Sequence, residues 1–147
     1  MNNEKNFEKW NKDKQKTHRR SDTNSLYFKE KEVWWSKLGV NIGFEEDGKG
    51  EYFQRPILVL RKFNRHSMLV LPLSTKIKPK NKYYFTIDCP DGIQRSVILS
   101  QIRLIDIRRL TERMFELEES AFLGIKKAFL DVISDRFFEY SSSQRAR

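Results

Sequence analysis

PILVL at residues 56–60 and MLVLPL at residues 68–73 are short apolar segments in which polar residues do not alternate with apolar ones. A strand with one face in solvent alternates in this way, whereas a strand covered on both faces is apolar throughout. The two segments therefore predict two β-strands that are buried on both faces.

Further strand segments lie on either side of these two. They are VWWSKL at residues 33–38, KYYFTI at 82–87, RSVIL at 95–99 and QIRLID at 101–106. Turn-forming residues separate them, among them glycines between residues 39 and 50 and the triplet PDG at 90–92. Several short strands with frequent turns are typical of a closed β-barrel or a small sandwich.

Both ends of the chain are predicted to be helical, which makes the fold class β-rich α+β. Residues 3–20 are rich in helix formers, and Phe7 and Trp10 give them a thin apolar stripe. Residues 118–140 have one apolar face, with apolar side chains at spacings of three and four. The predicted parts are an N-terminal helical extension and linker over 1–25, a barrel domain with its C-terminal helix over 26–140, and a flexible tail over 141–147.

The composition excludes several classes of protein. Of the 147 residues, 38% are hydrophobic and 33% are charged, and with eleven Phe, five Tyr and three Trp the chain is too aromatic to be disordered. One cysteine and two histidines give neither a disulfide framework nor a zinc site, so no metal or cofactor is predicted. No segment approaches the roughly 20 apolar residues of a membrane span, and the N-terminus has no apolar signal core. We expect a cytoplasmic protein that does not bind membranes.

Positive charge is concentrated in the middle of the chain. The formal net charge is +9, and residues 52–87 contain eight Lys and Arg residues but no Asp or Glu. Such a segment favours a polyanionic partner, because neutralising phosphates releases condensed counterions. The alternative is a solvated face that keeps the protein soluble. The length of the acid-free segment favours a nucleic acid.

Three motifs occur in the order found in the MazF/PemK family of toxins. The first is a strand, a glycine-containing loop and an Arg-Pro pair before an apolar strand: EVWWSKLG at residues 32–39, GFE at 43–45 and RPILVL at 55–60. The second is an apolar strand that ends in a threonine, LPLSTK at 71–76. The third is a Gln-x-Arg-x-x-Asp pattern, within VILSQIRLID at 97–106. Over about residues 30–140, the chain resembles this family.

The resemblance implies an SH3-like β-barrel with a C-terminal helix, to which this chain adds an N-terminal helix, and it implies a homodimer. It also implies the toxin of a type II toxin–antitoxin system. Such a toxin is a metal-independent, sequence-specific endoribonuclease that cuts single-stranded RNA and leaves 2′,3′-cyclic phosphate and 5′-hydroxyl ends. Its second partner is a cognate antitoxin with an acidic, flexible tail. Two alternatives remain: a non-catalytic toxin on the same barrel, as in CcdB-like gyrase poisons, and a plain RNA-binding module.

By this resemblance, Arg55 and Thr75 are the catalytic residues. A planar guanidinium suits transition-state stabilisation, because it donates two parallel hydrogen bonds to phosphate oxygens and scarcely deprotonates. The hydroxyl of Thr75 can hold a phosphate oxygen. The structural alternatives are an ion pair of Arg55 with Glu45 or Glu51, and an ordinary strand-end position for Thr75.

RNA contacts are expected around this pair from Lys49, Ser74, Lys76, Lys78, Lys80, Gln101 and Arg103. The lysines at 76, 78, 80 and 82 alternate along the chain, so in an extended segment all four line one basic edge. Each of them can instead be a solvated residue that protects a sheet edge. Gln101 and Arg103 can instead support the fold.

The chain departs from the family pattern in two places. The loop over residues 39–54 is longer than the family's minimal form. In addition, Ile98 and Ser100 stand where some relatives carry a catalytic arginine and acid, so the chemistry of those relatives is not expected here.

Other aromatic and imidazole groups are predicted to be structural. Trp34 and Trp35 point to opposite faces of a strand, so one of them belongs to the core. His66 lies in a turn and is expected to be exposed. The aromatics Phe7 and Trp10 favour packing of the N-terminal helix on the barrel over contact with RNA.

Overall fold

A computed structural model describes residues 4–134, which contain two α-helices and seven β-strands. The helices are α1 (Phe7–His18) and α2 (Glu119–Ile133). The strands are β1 (Glu32–Lys37), β2 (Gln54–Lys62), β3 (Ser67–Ser74), β4 (Tyr84–Asp88), β5 (Gln94–Ile98), β6 (Arg103–Asp106) and β7 (Leu110–Glu116). Short 3-10 helices cover Asp22–Ser25, Leu99–Gln101 and Ile107–Arg109. The predicted tail and the end of the predicted C-terminal helix lie outside the described residues.

Antiparallel pairing joins the strands in the order β4-β5-β3-β2-β1-β7, and β6 also pairs with β3. The two ends of β3 have different partners: residues 67–70 pair with β6, and residues 73–74 pair with β5. The strand is therefore shared by two sheets.

A ring of five strands, β1, β2, β3, β6 and β7, forms the barrel. Neighbouring strands of the ring are hydrogen-bonded except β6 and β7, which the 3-10 helix Ile107–Arg109 connects. Asp106 ends β6 and caps this helix, because its carboxylate accepts a hydrogen bond from the backbone N–H of Arg108 at 2.8 Å. The predicted SH3-like fold is confirmed, with the ring completed by a helical turn in place of a strand ladder.

Side chains of β2 and β3 alternate between two cores, so both strands are buried on both faces as predicted. The barrel core inside the ring takes Ile57 and Val59, and the helix core under α2 takes Leu58 and Leu60. Fully burying one such side chain contributes about 1.5–3 kcal/mol. The two adjacent tryptophans lie in different surroundings, as predicted. Trp34 is 5% exposed in the barrel core, whereas Trp35 is half-buried.

The sequence analysis missed β7. Its sequence, LTERMFE, is rich in charged residues and helix formers, and only Leu110 and Phe115 are buried. The strand pairs with β1 alone, and two register shifts interrupt that pairing. An edge strand of this kind takes its conformation from its neighbour, because its own residues have little β propensity.

The N-terminal helix packs on the barrel through Trp10. The indole is 6% exposed, its ring centroid lies 5.5 Å from that of Phe53, and Asp13 pairs with Lys37 of β1 at 2.9 Å. Phe7, the other predicted contact, is 51% exposed. The packing prediction is therefore confirmed for one of the two aromatics.

Replacing Gly39 with alanine is expected to displace Trp10. An added Cβ would lie 2.0 Å from Trp10 Cε2, and the residue has φ +75°, which L side chains rarely adopt. We expect urea unfolding to show a loss of about 2–4 kcal/mol, from backbone strain and overpacking together. The indole N–H resonance of Trp10 should shift in the same variant.

Gly50 provides the matched control, because it has the same φ of +75° with no atom within 4 Å of the added Cβ. Gly50→Ala should lose only the strain contribution of about 1–2 kcal/mol. Equal losses for the two variants would show that the Cβ added at residue 39 does not displace Trp10.

The cap of the closing turn should make stability depend on pH. The Arg108 side chain donates hydrogen bonds to Asp106 and holds the pKa of that carboxyl below its usual value. A carboxyl with a lowered folded pKa stabilises the fold above its unfolded pKa of about 3.9, and this contribution is lost as pH falls through the folded pKa. Asp106→Asn is expected to cost about 0.5–1 kcal/mol at pH 7 and almost nothing near pH 2, as measured by urea unfolding. A cost that is the same at both pH values would contradict this.

Candidate functional site

A pocket of about 170 Å³ lies where β2 begins and β3 ends. These two ends are adjacent because the strands are antiparallel, with Ile57 opposite Pro72. The pocket is lined by Trp35, Lys49, Gln54, Arg55, Pro56, Leu73, Ser74, Thr75 and Arg95. Four of the predicted site residues, from three separate segments of the chain, therefore share one cavity.

Arg55 is 6% exposed, and all three of its nitrogen positions have partners. Nε donates to the carbonyl of Asp47 at 2.6 Å, and Nη1 donates to the carbonyl of Leu73 at 3.0 Å. Nη2 lies 2.7 Å from Oε1 of Glu46. A buried guanidinium needs such partners, because an unpaired buried charge costs several kcal/mol. The acid that pairs with it is Glu46, not Glu45 or Glu51 as the sequence suggested.

The two hydroxyl residues at the end of β3 differ in availability. Ser74 is 7% exposed, and its Oγ accepts the backbone N–H of Lys76 at 3.1 Å, so it orders the turn that follows the strand. Thr75 is exposed and lines the pocket. Of the two, Thr75 presents the hydroxyl that a ligand can reach.

The long loop over residues 39–54 is internally braced. The Asp47 carboxylate accepts the backbone N–H of Asn41 at 2.6 Å, and the Asn41 amide donates to the carbonyl of Glu46 at 2.8 Å. Lys5, just before α1, pairs with Asp47 at 3.1 Å and donates to the carbonyl of Gly43. The N-terminal extension thus holds the loop that supplies the partners of the pocket arginine.

Gln101 and Arg103 hold the same loop from the other side and do not line the pocket. The Gln101 side chain accepts the backbone N–H of Glu46 and donates to the carbonyl of Phe44, both at 3.1 Å. Arg103 donates to the carbonyl of Leu38 at 3.4 Å, and burial lowers the pKa of its guanidinium. Their contacts match the alternative that they support the fold.

The expectation that residues 76–82 form one extended basic edge is wrong. Asn81 N–H donates to the carbonyl of Lys78, and Tyr84 N–H donates to the carbonyl of Asn81, so residues 78–84 form two consecutive turns. β4 therefore begins at Tyr84 and not at Lys82. Three of the four lysines, at 78, 80 and 82, still line one open depression beside the barrel, together with Tyr83. Lys76 is exposed. In the sequence it lies between Thr75, which lines the pocket, and Lys78, which lines the depression.

Arg95 is the pocket residue that the sequence analysis missed. It is 6% exposed, and its two terminal nitrogens donate to the two carboxylate oxygens of Asp91 at 3.0 and 2.9 Å. This pair raises the pKa of Arg95 and lowers the pKa of Asp91. The only signal in the sequence was a cation in a predicted strand, and locating it needs the pairing of β5 with β3.

Several other predictions can be compared with the geometry. His66 is exposed as expected, and neither histidine lines the pocket. Cys89 is buried, and burial raises the pKa of its thiol, which disfavours the reactive thiolate. Within residues 4–134, no three His, Cys, Asp or Glu side chains are grouped so that they could hold a metal ion. In the same part of the chain, no helix is both long and apolar enough to cross a bilayer.

Solved structures share this fold at low sequence identity. The MazF of Deinococcus radiodurans superimposes with a TM-score of 0.63 and 18% identity, covering 75% of this chain and 99% of its own. A mycobacterial endoribonuclease, solved in complex with its cognate antitoxin, gives 0.56 and 14%, covering 74% and 96%. A MazF toxin of Mycobacterium tuberculosis gives 0.53 and 14%, covering 70% and 96%.

Comparison with curated proteins finds no match. The family model of PemK-like, MazF-like toxins of type II toxin–antitoxin systems matches residues 29–133, from the segment before β1 to the last residue of α2. This match spans the whole barrel and leaves out only the N-terminal extension and the C-terminal end. The chain therefore belongs to the PemK-like, MazF-like family of type II toxins.

Proposed function

We propose that this toxin is a metal-independent, sequence-specific endoribonuclease that cuts single-stranded RNA. The observation that carries the proposal is the pocket that joins Arg55, Thr75 and Lys49 at the paired ends of β2 and β3. Cations and an exposed hydroxyl around one cavity suit a phosphodiester group. The mycobacterial relative described as an endoribonuclease shares the fold on which this pocket is built.

The reaction follows from these residue types. The 2′-hydroxyl oxygen attacks the adjacent phosphorus as its proton leaves, the bond from phosphorus to O5′ breaks, and O5′ takes up a proton. The products are a 2′,3′-cyclic phosphate and a 5′-hydroxyl. Arg55 stabilises the charge that develops on the non-bridging oxygens, and the Thr75 hydroxyl holds one of them. In this proposal water takes up the proton of the 2′-hydroxyl and supplies the proton of O5′.

Substrate and antitoxin are proposed to meet the same basic surface. Lys76, Lys78 and Lys80 lie on the loop that follows the pocket, and Lys49 lies on its rim, so they provide phosphate contacts along a strand of RNA. An antitoxin with an acidic, flexible tail matches the same charges. We further propose that the active protein is a homodimer.

The two rival functions lack a specific observation in their favour. A gyrase poison needs no phosphate-sized pocket with an exposed hydroxyl, and an RNA-binding module needs no buried guanidinium held at the end of a strand. Both rivals predict that purified protein leaves RNA intact.

Cleavage should occur in EDTA and depend on Arg55. We expect purified protein to cut single-stranded RNA with cyclic phosphate ends, detected by end-specific ligation. Arg55→Lys keeps the charge but loses the fork geometry, and it should lower kcat about 10- to 100-fold; Arg55→Ala should lower it about 1000-fold. Circular dichroism checks that each variant is folded.

Arg61 offers a matched control on the same strand. Its side chain is 62% exposed and lies 3.7 Å from Glu30, at the other end of β2. Arg61→Ala should keep kcat within about twofold of wild type, because exposed ion pairs contribute little. Intact RNA with the wild-type chain, or equal losses for the two arginines, would sink the proposed assignment.

Glu46 should compete with substrate. Its carboxylate lies 2.7 Å from Nη2 of Arg55, whose other two nitrogens donate to backbone carbonyls, and a phosphate oxygen would bind at Nη2. Glu46→Gln removes the negative charge but keeps an oxygen acceptor. We expect KM for RNA to fall roughly fivefold, the equivalent of about 1 kcal/mol of ion pairing, with little change in kcat.

Glu45 is the control for charge alone, because it is the neighbouring acid and accepts a backbone N–H from Ile42 instead of pairing with Arg55. Glu45→Gln should change KM less than twofold at moderate salt, where distant charges are screened. A higher KM in Glu46→Gln would mean that the carboxylate orients Arg55 for catalysis and does not compete with RNA.

A further inference from the structure

The start of β5 brings a second arginine, Arg95, to the pocket. Ser74 of β3 pairs with Ser96 of β5, so the next residues outward, Thr75 and Arg95, are neighbours across the two strands. Leu73 and Val97, one residue inward, both belong to the helix core, and side chains two residues apart share a face. Thr75 and Arg95 therefore project on the same side, and both line the cavity with Arg55.

We propose that Arg95 contacts the scissile phosphate and stabilises the charge that develops during cleavage, with Asp91 as its positioning residue. This inference rests on the ribonuclease function proposed above. It adds to Arg55 a second cation for the reaction, and this cation lies outside the three family motifs.

The Arg95 side chain is fixed before any ligand arrives. Asp91 takes one N–H from each terminal nitrogen, and Asp91 itself is held by the backbone N–H of Ile93 at 3.1 Å. The guanidinium also lies 5.6 Å from the ring centroid of Phe115. Asp91 takes two of the five N–H groups and the Cys89 sulfur is a further contact, which leaves the remaining N–H groups for a phosphate. A donor that is already oriented needs no reorganisation when charge develops.

The negative charge that develops on the phosphate during cleavage is a reason for a second arginine in the pocket. A phosphodiester carries one negative charge, whereas the five-coordinate phosphorane formed by attack of the 2′ oxygen carries nearly two. Nε and Nη1 of Arg55 each donate to a backbone carbonyl, and Nη2 faces Glu46, so a phosphate reaches this guanidinium mainly by replacing the carboxylate at Nη2. A second cation on the opposite wall supplies the additional stabilisation that the transition state requires and the ground state does not.

The alternative is that the Arg95–Asp91 ion pair only supports the fold. Kinetic measurements distinguish this structural role from the catalytic role proposed here. The substrate is an RNA that the wild-type chain cleaves, and the binding probe is the same RNA with a single 2′-deoxy residue at the cut, which binds but lacks the nucleophile. We expect Arg95→Gln to lower kcat about 100- to 1000-fold, with KM and the Kd of the deoxy probe within about threefold of wild type. Arg95→Lys should lose about tenfold in kcat, because lysine keeps the charge without the fork.

Asp91→Asn tests the positioning role. It leaves the Arg95 cation in place but weakens its anchor, and we expect kcat to fall about tenfold with unchanged Kd for the deoxy probe. Arg113→Gln is the matched control for stability, because it breaks the 2.6 Å pair of Arg113 with the buried Glu32, outside the pocket. That variant should unfold at lower urea yet keep the wild-type kcat.

Each outcome decides the proposal. A folded Arg95→Gln with kcat within threefold of wild type overturns it, and if that variant fails to fold, wild-type kcat in Arg95→Lys overturns it instead. Equal losses of kcat and of probe affinity reduce Arg95 to a binding residue and also overturn it. Intact RNA with the wild-type chain overturns this proposal together with the ribonuclease function, whereas cleavage that survives loss of Arg95 overturns this proposal alone.

Discussion

Burial of β2 and β3 on both faces is the constraint from which the rest of the structure follows. Successive side chains of β2 enter the barrel core and the helix core in turn, so no interior position of this strand can be polar without a large cost. Polar chemistry is possible only where the two strands leave the cores. Arg55 stands at that exit on β2, and Thr75 stands at the corresponding exit of β3. Antiparallel pairing puts the two exits side by side, so the position of the pocket is a consequence of the packing.

The buried charge of Arg55 is compensated by the long loop that precedes β2. The position of Arg55 at the barrel end buries the guanidinium, and the long loop supplies a carbonyl and the Glu46 carboxylate to compensate. Ordering a loop of this length costs conformational entropy, and the contacts of Lys5 and Gln101 on its two sides offset that cost. The long loop and the N-terminal helix are therefore parts of one arrangement. Trp10 attaches the helix to the barrel, and Lys5 extends that attachment to the loop.

Sequence patterns predicted those parts of the fold that depend on local burial. The apolar segments gave β2 and β3, and the helical periodicity gave α2, because each pattern reflects which side chains are inside. β7 was missed because its conformation is imposed by β1, whose paired residues lie 74 or more positions away in the chain. The site was predicted in part for the same reason. Arg55 and Thr75 belong to motifs, whereas the pairing of Glu46 with Arg55 and the place of Arg95 beside Thr75 depend on strand register and loop path, which no local pattern encodes.

The cations of the pocket and those of the loop after β3 have different physical roles. The arginines of the pocket are buried and individually paired with Glu46 and Asp91, so they add little to the field that a distant RNA experiences. The lysine loop after β3 is exposed and belongs to the acid-free segment, so it contributes most to long-range attraction. Salt should therefore weaken encounter and binding through the lysines far more than it affects the chemical step at the arginines. This separation lets the molecule hold oriented cations at the reacting phosphate without leaving unpaired charge inside the fold.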